Sequence, residues 1–285
     1  MKTFIVPTDF SDTSKNAARF AVQMAAAVTD AHIILYNVFD KIEAGDDGSV
    51  MYNDHEGRKK IMELGLESIK IELNSKFPSV NITCLAEEKE SFIERKITNG
   101  FINSLERLAV KEKADLVIMG ITGATRMEQI FIGSNTLSMV NKNVCPVMIV
   151  PPDAEFTGIK NVAFTSDFKD VEETTPIKAL RGILDIFKPF IHVVNVDSEH
   201  YVEVTEEYKA QRAKLETILD GYETEYYFMR QFDFVEAINL FVTDYKIDMI
   251  FTVPKKHSFL GGLFKSSHTK KLAYHSTVPL VAVHE

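Results

Sequence analysis

Short apolar runs alternate with amphipathic stretches along the first half of the chain. Five of these runs have the length of β-strands, and they cover residues 3–7, 32–38, 81–85, 116–119 and 147–150. Unbroken apolar runs of this length are typical of parallel strands that are buried on both faces. Between them, residues 14–28 are rich in alanine, and residues 92–110 place apolar side chains at helical spacing. The alternation predicts an α/β fold with a parallel sheet and right-handed crossovers.

The same pattern returns in the second half of the chain. The segment FIVPTDFSD returns as VAFTSDFKD, which places Asp167 158 positions after Asp9. The segment ADLVIMG returns as IDMIFTV, which places Val253 133 positions after Gly120. The second copy is therefore 25 residues shorter, and the segment 41–58, rich in Gly, Asp and Asn, is the expected surface loop that it lacks. We predict two tandem domains, residues 1–151 and 159–285, each built on a doubly wound five-stranded parallel sheet.

Composition and charge limit the classes of function. The chain has 285 residues and a formal net charge of −9, which disfavours binding to nucleic acid or to an anionic membrane surface. Its two cysteines, Cys84 and Cys145, have no spacing typical of a disulfide framework or a zinc site, and they fit a reducing compartment. The apolar run at the N-terminus is too short for a signal peptide, and no run approaches a membrane span. We therefore expect a cytoplasmic protein that contacts neither nucleic acid nor membrane.

The segment MGITGATRMEQIFIGSN, residues 119–135, combines three glycines with a serine: Gly120, Gly123, Gly133 and Ser134. Gly120 directly follows the fourth predicted strand, and ligands of doubly wound sheets bind at the carboxyl ends of the strands. Because glycines leave backbone amides accessible, this spacing predicts a site for phosphate groups. Neither a P-loop motif nor a G-x-G-x-x-G motif after the first strand is present. The simpler alternative is that the glycines only form turns, and their spacing alone leaves it open.

Four further blocks, IVPTDFSD, LYNV, DLVIMG and CPV, occur in this order in the first half. Together with the spacing G-x-x-G, nine residues, G-[ST], they resemble the UspA-like universal stress proteins, and specifically the ATP-binding class of that family. The resemblance extends over nearly the whole chain as two tandem domains. It implies the adenine nucleotide alpha hydrolase-like fold, a flavodoxin-like three-layer α/β/α arrangement.

The resemblance also implies that the first domain holds an adenine nucleotide, ATP or AMP. Asp9 would then lie beside the adenine and the ribose, and the backbone of Val38 would contact the base. The other residues implied to bind the nucleotide are Pro7 and Thr8 beside the base, and Gly120, Gly123, Gly133, Ser134, Asn135 and Thr136 around the phosphates. A Mg²⁺ ion is compatible with bound ATP, although the sequence offers no dedicated carboxylate site for it, and no metal ligand is assigned.

The second copy does not keep the glycine signature. At the offset of 133 positions, Gly120, Gly123 and Gly133 are replaced by Val253, Lys256 and Ser266. Side chains therefore stand where the first copy has bare backbone. We predict that the second domain binds no nucleotide in the same pose.

The predicted strand-end loops carry no evident Ser-His-Asp set, carboxylate pair or metal triad, so no catalytic residue is assigned. The resemblance implies a stress-response protein that binds a nucleotide and signals or regulates, with slow ATP hydrolysis as its upper limit. Two alternatives stay open. One is a scaffold of the same fold that associates with proteins and ignores nucleotide, and the other is a true ATPase or nucleotidyl transferase.

Tandem copies also suggest how the chain assembles. Single-domain members of the family resemble dimers that are joined through their last strands. Residues 147–150 and 280–283 are therefore expected to pair within this chain as a pseudo-dimer, which leaves a further homodimer open. The protein partner is unknown. Residues 255–271 carry five lysines, which fit either a solvated surface or a patch that binds an anion or a partner.

Overall fold

The computed structural model describes residues 1–39, 55–88, 100–121, 134–197, 205–230, 233–253 and 277–283. The strands of the first half are β1 (Lys2–Pro7), β2 (Ala31–Phe39), β3 (Asn81–Glu88), β4 (Leu116–Gly120) and β5 (Val147–Val150). Its helices are α1 (Asp12–Ala26), α2 (His55–Lys76), α3 (Gly100–Lys111) and α4 (Ser134–Val140). The strands of the second half are β6 (Asn161–Thr165), β7 (Phe190–Asp197), β8 (Thr224–Arg230), β9 (Met249–Thr252) and β10 (Leu280–Ala282). Its helices within the described ranges are α5 (Val171–Thr174), α6 (Ile177–Phe187), α7 (Glu206–Ile218) and α8 (Phe234–Asp244).

The described strands form one continuous sheet in the order β3-β2-β1-β4-β5-β10-β9-β6-β7-β8. Each half contributes five strands in the doubly wound order, and the described pairs within each half are parallel. The predicted pairing of the last strands is present, because β5 and β10 run antiparallel side by side. The two sheets predicted from the sequence are therefore joined into one.

Strand register relates the two halves residue by residue. β1 pairs Phe4 with Ile33, and β6 pairs Val162 with Ile191, so both partners lie 158 positions apart between the halves. In the next strand pair of each half, β2 pairs Ile33 with Ile82 of β3, and β7 pairs Ile191 with Thr224 of β8. The third strands are therefore 142 positions apart, from Ile82 to Thr224. The fourth strands, Leu116 and Met249, lie 133 positions apart. The second half is therefore 16 residues shorter between its second and third strands, and a further 9 shorter between its third and fourth.

The shortening is thus divided between two connections rather than confined to the segment 41–58. Residues 55–58 of that segment form the start of α2 rather than a surface loop, and residues 41–54 lie outside the described part of the chain. The predicted helix over residues 92–110 is observed as α3 from residue 100 onward, and residues 92–99 also lie outside the described part.

Buried side chains form layers on both faces of the sheet. One face is covered by a single cluster that includes residues of both halves, from Phe4 and Leu35 to Phe251. The other face has separate clusters, one around α3 in the first half and one around α8 in the second. This gives the three-layer α/β/α arrangement that the alternation of elements predicts.

The first helix is continuous in the first half and broken in the second half. α1 is continuous, with Ser11 as its N-cap and alanines that are buried against the sheet. Its counterpart is divided into α5 and α6, because Pro176 lacks a backbone N–H and holds Thr175 in an extended conformation. The amino end of this helix lies beside the carboxyl end of the first strand, so the two halves differ in structure at that end of the sheet.

Candidate functional site

A cavity of about 380 Å³ opens at the carboxyl edge of the first half. It lies where β1, β2 and β4 end, beside the amino ends of α1 and α4. The described residues that line it are Pro7, Thr8, Asp9, Ser11, Thr13, Ser14, Asn37, Val38, Phe101, Met119, Gly120, Asn135 and Thr136. Its size is within the usual range of small-molecule sites, and its position is the switch point of the doubly wound order.

The predicted residues converge at this cavity as far as the structure describes them. Pro7, Thr8, Asp9, Val38, Gly120, Asn135 and Thr136 all line it. Gly123 and Gly133 lie outside the described residues, and Ser134 is described only as the first residue of α4. The sequence reasoning missed the remaining lining residues, because they belong neither to the glycine signature nor to the positions that the family resemblance implied.

The lining divides into an apolar and a polar part. Val38, Phe101 and Met119 supply the apolar surface from β2, α3 and β4. The hydroxyl-bearing residues Ser11, Thr13 and Ser14 come from the start of α1. Among the described lining residues, Asp9 is the one with a formal charge, and none is Lys or Arg. Recognition of an anion by this part of the lining would therefore rely on backbone amides and hydroxyls.

Asp9 is exposed at the mouth of the cavity and is held in a local turn. Its Oδ1 accepts hydrogen bonds from the Ser11 amide at 3.0 Å and from the Ser11 hydroxyl at 2.5 Å. Burial works to raise the pKa of the carboxyl, but these hydrogen bonds outweigh it, so the pKa of Asp9 lies below its usual value. Asp9 is therefore an anion at neutral pH and can accept hydrogen bonds from a ligand.

Thr8 has a structural role at the same edge. Its hydroxyl is 2.9 Å from the Ser14 hydroxyl and accepts a hydrogen bond of 3.0 Å from the Phe10 amide. Ser14 in turn donates to the Ser11 carbonyl at 3.0 Å. These bonds tie the end of β1 to the first turn of α1. The predicted place of Thr8 in the cavity wall is observed, while its hydroxyl is already engaged within the protein.

Asn37 is a lining residue that the sequence reasoning did not assign to the site. Its side chain is 6 % exposed, and its Nδ2 donates a 2.8 Å hydrogen bond to the Thr8 carbonyl. Its Oδ1 is buried without a hydrogen-bond partner. The repeated pair Asn-Val in the two copies was the available signal, because Asn195 makes the equivalent 2.8 Å bond to the Ser166 carbonyl.

Gly120 is required by packing as well as by any ligand. A Cβ at this position would lie 2.5 Å from the carbonyl oxygen of Thr13 and 2.8 Å from its carbonyl carbon. The first turn of α1 therefore rests directly on the end of β4. The simpler explanation of this glycine, as a structural position, holds whether or not the cavity binds a ligand.

The described residues at the equivalent edge of the second half leave little space, and residues 254–276, which include Lys256 and Ser266, lie outside the described part of the chain. A cavity of about 20 Å³ lies there, lined by Thr165, Ser166, Asp167, Val194, Asn195, Val196 and Phe234. This volume is about one-twentieth of that of the cavity in the first half and is too small for a nucleotide. Val253, which replaces Gly120, is buried in the core. The contrast supports the prediction that the second half takes no nucleotide in the same pose.

The described residues contain neither a metal-binding group of side chains nor a membrane-spanning helix. Among them, no three His, Cys, Asp or Glu side chains are grouped in a way that could hold a metal ion. None of the helices in the described ranges has the length and apolar character needed to cross a membrane.

The first half of the chain is similar in sequence to universal stress proteins. The model of the Universal stress protein family matches residues 1–151. Universal stress protein MJ0531 of Methanocaldococcus jannaschii is 29% identical over 154 residues, which are 52% of this chain and 81% of that protein. Universal stress protein Rv1636 of Mycobacterium tuberculosis is 29% identical over 155 residues, which are 52% of this chain and 95% of that protein.

A solved structure matches over almost the whole length. The universal stress protein from Archaeoglobus fulgidus DSM 4304 covers 99% of this chain, which in turn covers 96% of that protein, with a TM-score of 0.66 and 15% identity. At this identity the likeness concerns the fold alone. It includes both halves of the ten-stranded sheet.

Proposed function

Because this chain belongs to the universal stress protein family, we propose that its first half binds an adenine nucleotide, ATP or AMP, in the carboxyl-edge cavity. The observation that carries the proposal is the cavity of about 380 Å³ itself, which brings together seven of the residues predicted from the sequence. The equivalent place in the second half has a cavity of about 20 Å³. One nucleotide per chain is therefore expected.

The two parts of the lining suit the two ends of a nucleotide. A purine ring would lie against the apolar part formed by Val38, Phe101 and Met119. Asp9, ionised and exposed, would accept hydrogen bonds from the ribose hydroxyls. The phosphates would extend past Gly120 toward Asn135 and Thr136, with Gly123, Gly133 and Ser134 as the further proposed contacts. A Mg²⁺ ion would neutralise phosphate charge here, but the described lining provides Asp9 as its one carboxylate.

The proposed role is regulatory rather than catalytic. α1 contributes Thr13 and Ser14 to the cavity, and its Asn16 donates hydrogen bonds of 3.1 and 3.2 Å to the carbonyls of Pro151 and Ala154. The same helix therefore contacts both the nucleotide cavity and the link between the proposed domains, 1–151 and 159–285. We propose that occupancy of the cavity is sensed through α1 and changes the surface offered to a protein partner. The net charge and the two free cysteines make the cytoplasm the proposed location.

The closed edge of the second half favours a second, narrower function for that half. With a cavity of about 20 Å³, it would act through its surface and its pairing with the first half. A scaffold that ignores nucleotide altogether is the alternative for the whole chain.

Isothermal titration calorimetry with ATP and AMP separates these functions. We expect one site per chain, and we expect Asp9→Ala to weaken binding by about tenfold or more, as for the loss of a hydrogen bond to a charged group. The matched control is Asp167→Ala, because Asp167 accepts a 3.2 Å hydrogen bond from the amide two residues later, as Asp9 does. Two equivalent sites per chain, or no binding at millimolar nucleotide, would reject the proposal.

A further inference from the structure

The outward face of α2 carries three large apolar side chains. Ile61, Leu64 and Ile71 are 63 %, 62 % and 68 % exposed, while Leu66 and Leu73 of the same helix are buried against the sheet. At about 3.6 residues per turn, the exposed and the buried set lie on opposite sides of the helix. Single exposed apolar residues are common, but three along one helix face form a patch that is typical of a protein interface.

The second half shows that the fold does not require this patch. α7 is the counterpart of α2, and the register of the third strands places equivalent residues 142 positions later. In that alignment Leu73 corresponds to Leu215, and both are buried. Ile71 corresponds to Ala213, which is exposed but small. Among the described residues, α7 has no exposed large apolar side chain, so the patch on α2 serves something other than packing on the sheet.

The patch has the spacing of a coiled-coil seam. Ile61, Leu64, Ser68 and Ile71 follow one another at intervals of three, four and three residues, and Ser68 is exposed like the others. Alternating intervals of three and four define the a and d positions of a heptad, which pack against the a and d positions of a second helix. The patch therefore fits another helix of the same pattern.

We propose that α2 packs against α2 of a second copy of this chain, antiparallel about a two-fold axis at the level of residue 66. In this register Ile61 of each copy lies beside Ile71 of the other, and Leu64 lies beside Ser68. Each copy offers the same patch, as a two-fold interface requires. The inference is independent of the proposed nucleotide function.

Charges beside the patch favour the antiparallel direction. In this direction Arg58 of each copy lies beside Glu72 of the other, which gives two pairs of opposite charge. A parallel pair would instead place Glu67 beside Glu72 twice. The antiparallel pair brings the two Glu67 carboxylates toward each other near the axis, but each has the Lys70 ammonium of its own helix at 3.2 Å.

The contact is small, because about three turns of each helix take part. We expect it to lie at the low end of interface sizes, below about 1,200 Å², where complexes are weak and reversible. The full chain should therefore be monomeric at low micromolar concentration and should dimerise as the concentration approaches the millimolar range. Because β10 covers β5 in the full chain, this association does not use that sheet edge.

Sedimentation equilibrium of the full chain over this range tests the contact. Each residue occurs twice in a two-fold interface, so Ile71→Glu should raise the dissociation constant of the dimer by about tenfold or more. The matched control is Ala213→Glu, which adds the same charge at the equivalent exposed position of α7 and should leave the association unchanged. Thermal unfolding checks that both variants fold.

Disulfide cross-linking tests the direction. Chains with Ile61→Cys, mixed with chains with Ile71→Cys and exposed to oxidised glutathione, should form a covalent dimer. Neither variant should cross-link with itself, because its two cysteines would lie about 15 Å apart, beyond the reach of a disulfide. Wild-type protein treated in the same way measures the background from Cys84 and Cys145.

Three results would overturn the inference. The first is a wild type that stays monomeric at every concentration; if Ile71→Glu also lowered its stability, the chain itself would cover the patch. The second is equal association of the wild type and Ile71→Glu, which would place the contact elsewhere. The third is cross-linking of each cysteine variant with itself, which would show a parallel pair.

Discussion

At Gly120, the close packing of α1 and an open cavity both require a residue without a side chain. Its missing side chain lets the Thr13 carbonyl approach the end of β4, and it also leaves the cavity floor open. The second half has Val253 at this position and a first helix that is broken at Pro176. The glycine signature is therefore partly a packing signature.

A substitution at Gly120 tests the packing requirement directly. Gly120→Ala should destabilise the ligand-free protein by about 1–3 kcal/mol, because the new methyl group forces the backbone of α1 away from β4. The control is Gly182→Ala in the middle of α6, where the added Cβ has no contact within 4 Å beyond the neighbouring backbone of its own helix. That change should stabilise the protein by about 0.5–1 kcal/mol, since alanine favours the helix. Urea unfolding measures both, and a change of the same sign in the two variants would contradict the packing argument.

α3 and α8 occupy equivalent places on the sheet, but they differ in how closely they pack against the strand ends. Each has a phenylalanine in its first described turn that lines the cavity, Phe101 in α3 and Phe234 in α8, and the two lie 133 positions apart. Phe101 is half-buried beside the open cavity, whereas Phe234 is 8 % exposed beside the closed one. A phenylalanine at this position therefore lines an open cavity in one half and belongs to the packed core in the other.

This difference predicts opposite consequences for the same truncation. Phe234→Ala should lower the free energy of unfolding by about 3–5 kcal/mol, because it leaves a hole in packed core. Phe101→Ala should cost less than half as much, since its ring is already partly exposed, and it should weaken ATP binding through the lost apolar wall. Urea unfolding and calorimetry on the same two variants give both quantities. Similar stability losses, with ATP affinity unchanged in Phe101→Ala, would show that the two rings have the same role.

The whole molecule is held together along the seam between β5 and β10. Met148 and Val281 are partners across this seam and are also equivalent residues, 133 positions apart. Ile149 pairs with Leu280, and Val147 pairs with Ala282, so the contact has the reciprocal pattern of a two-fold interface. All residues of both strands are buried. Without its partner, either strand would be an apolar sheet edge.

Expression of residues 1–151 alone tests the proposed domain and the seam together. We expect this half to self-associate through β5, because an unpaired edge strand of Val147–Val150 would otherwise expose backbone and apolar surface. Analytical ultracentrifugation over a range of concentrations measures the association. The full chain is the control, because β10 already occupies that edge. A half that stays monomeric at every concentration would contradict this account of the seam.

The sequence by itself determined the elements and their order. Local periodicity distinguishes buried strands from amphipathic helices, and the repeat relates the two halves before any contact is known. The position of Gly120 after an apolar strand indicated a site at the carboxyl edge of the sheet, and the resemblance to the universal stress proteins added Asp9 and Val38 to that site. The pairing of β5 with β10 was predicted from the family resemblance, because single-domain members resemble dimers joined through their last strands, and the structure confirms that these strands pair.

The tertiary structure alone decided what each residue does at that edge. The engaged hydroxyl of Thr8, the unpartnered Oδ1 of Asn37 and the close approach of Thr13 to Gly120 depend on contacts between separate elements. The contrast between Phe101 and Phe234 depends on how closely each helix packs at its cavity, which no local pattern records. Sequence periodicity reports which face of an element is apolar, whereas the shape and the free hydrogen-bonding groups of a cavity arise only when several elements pack together.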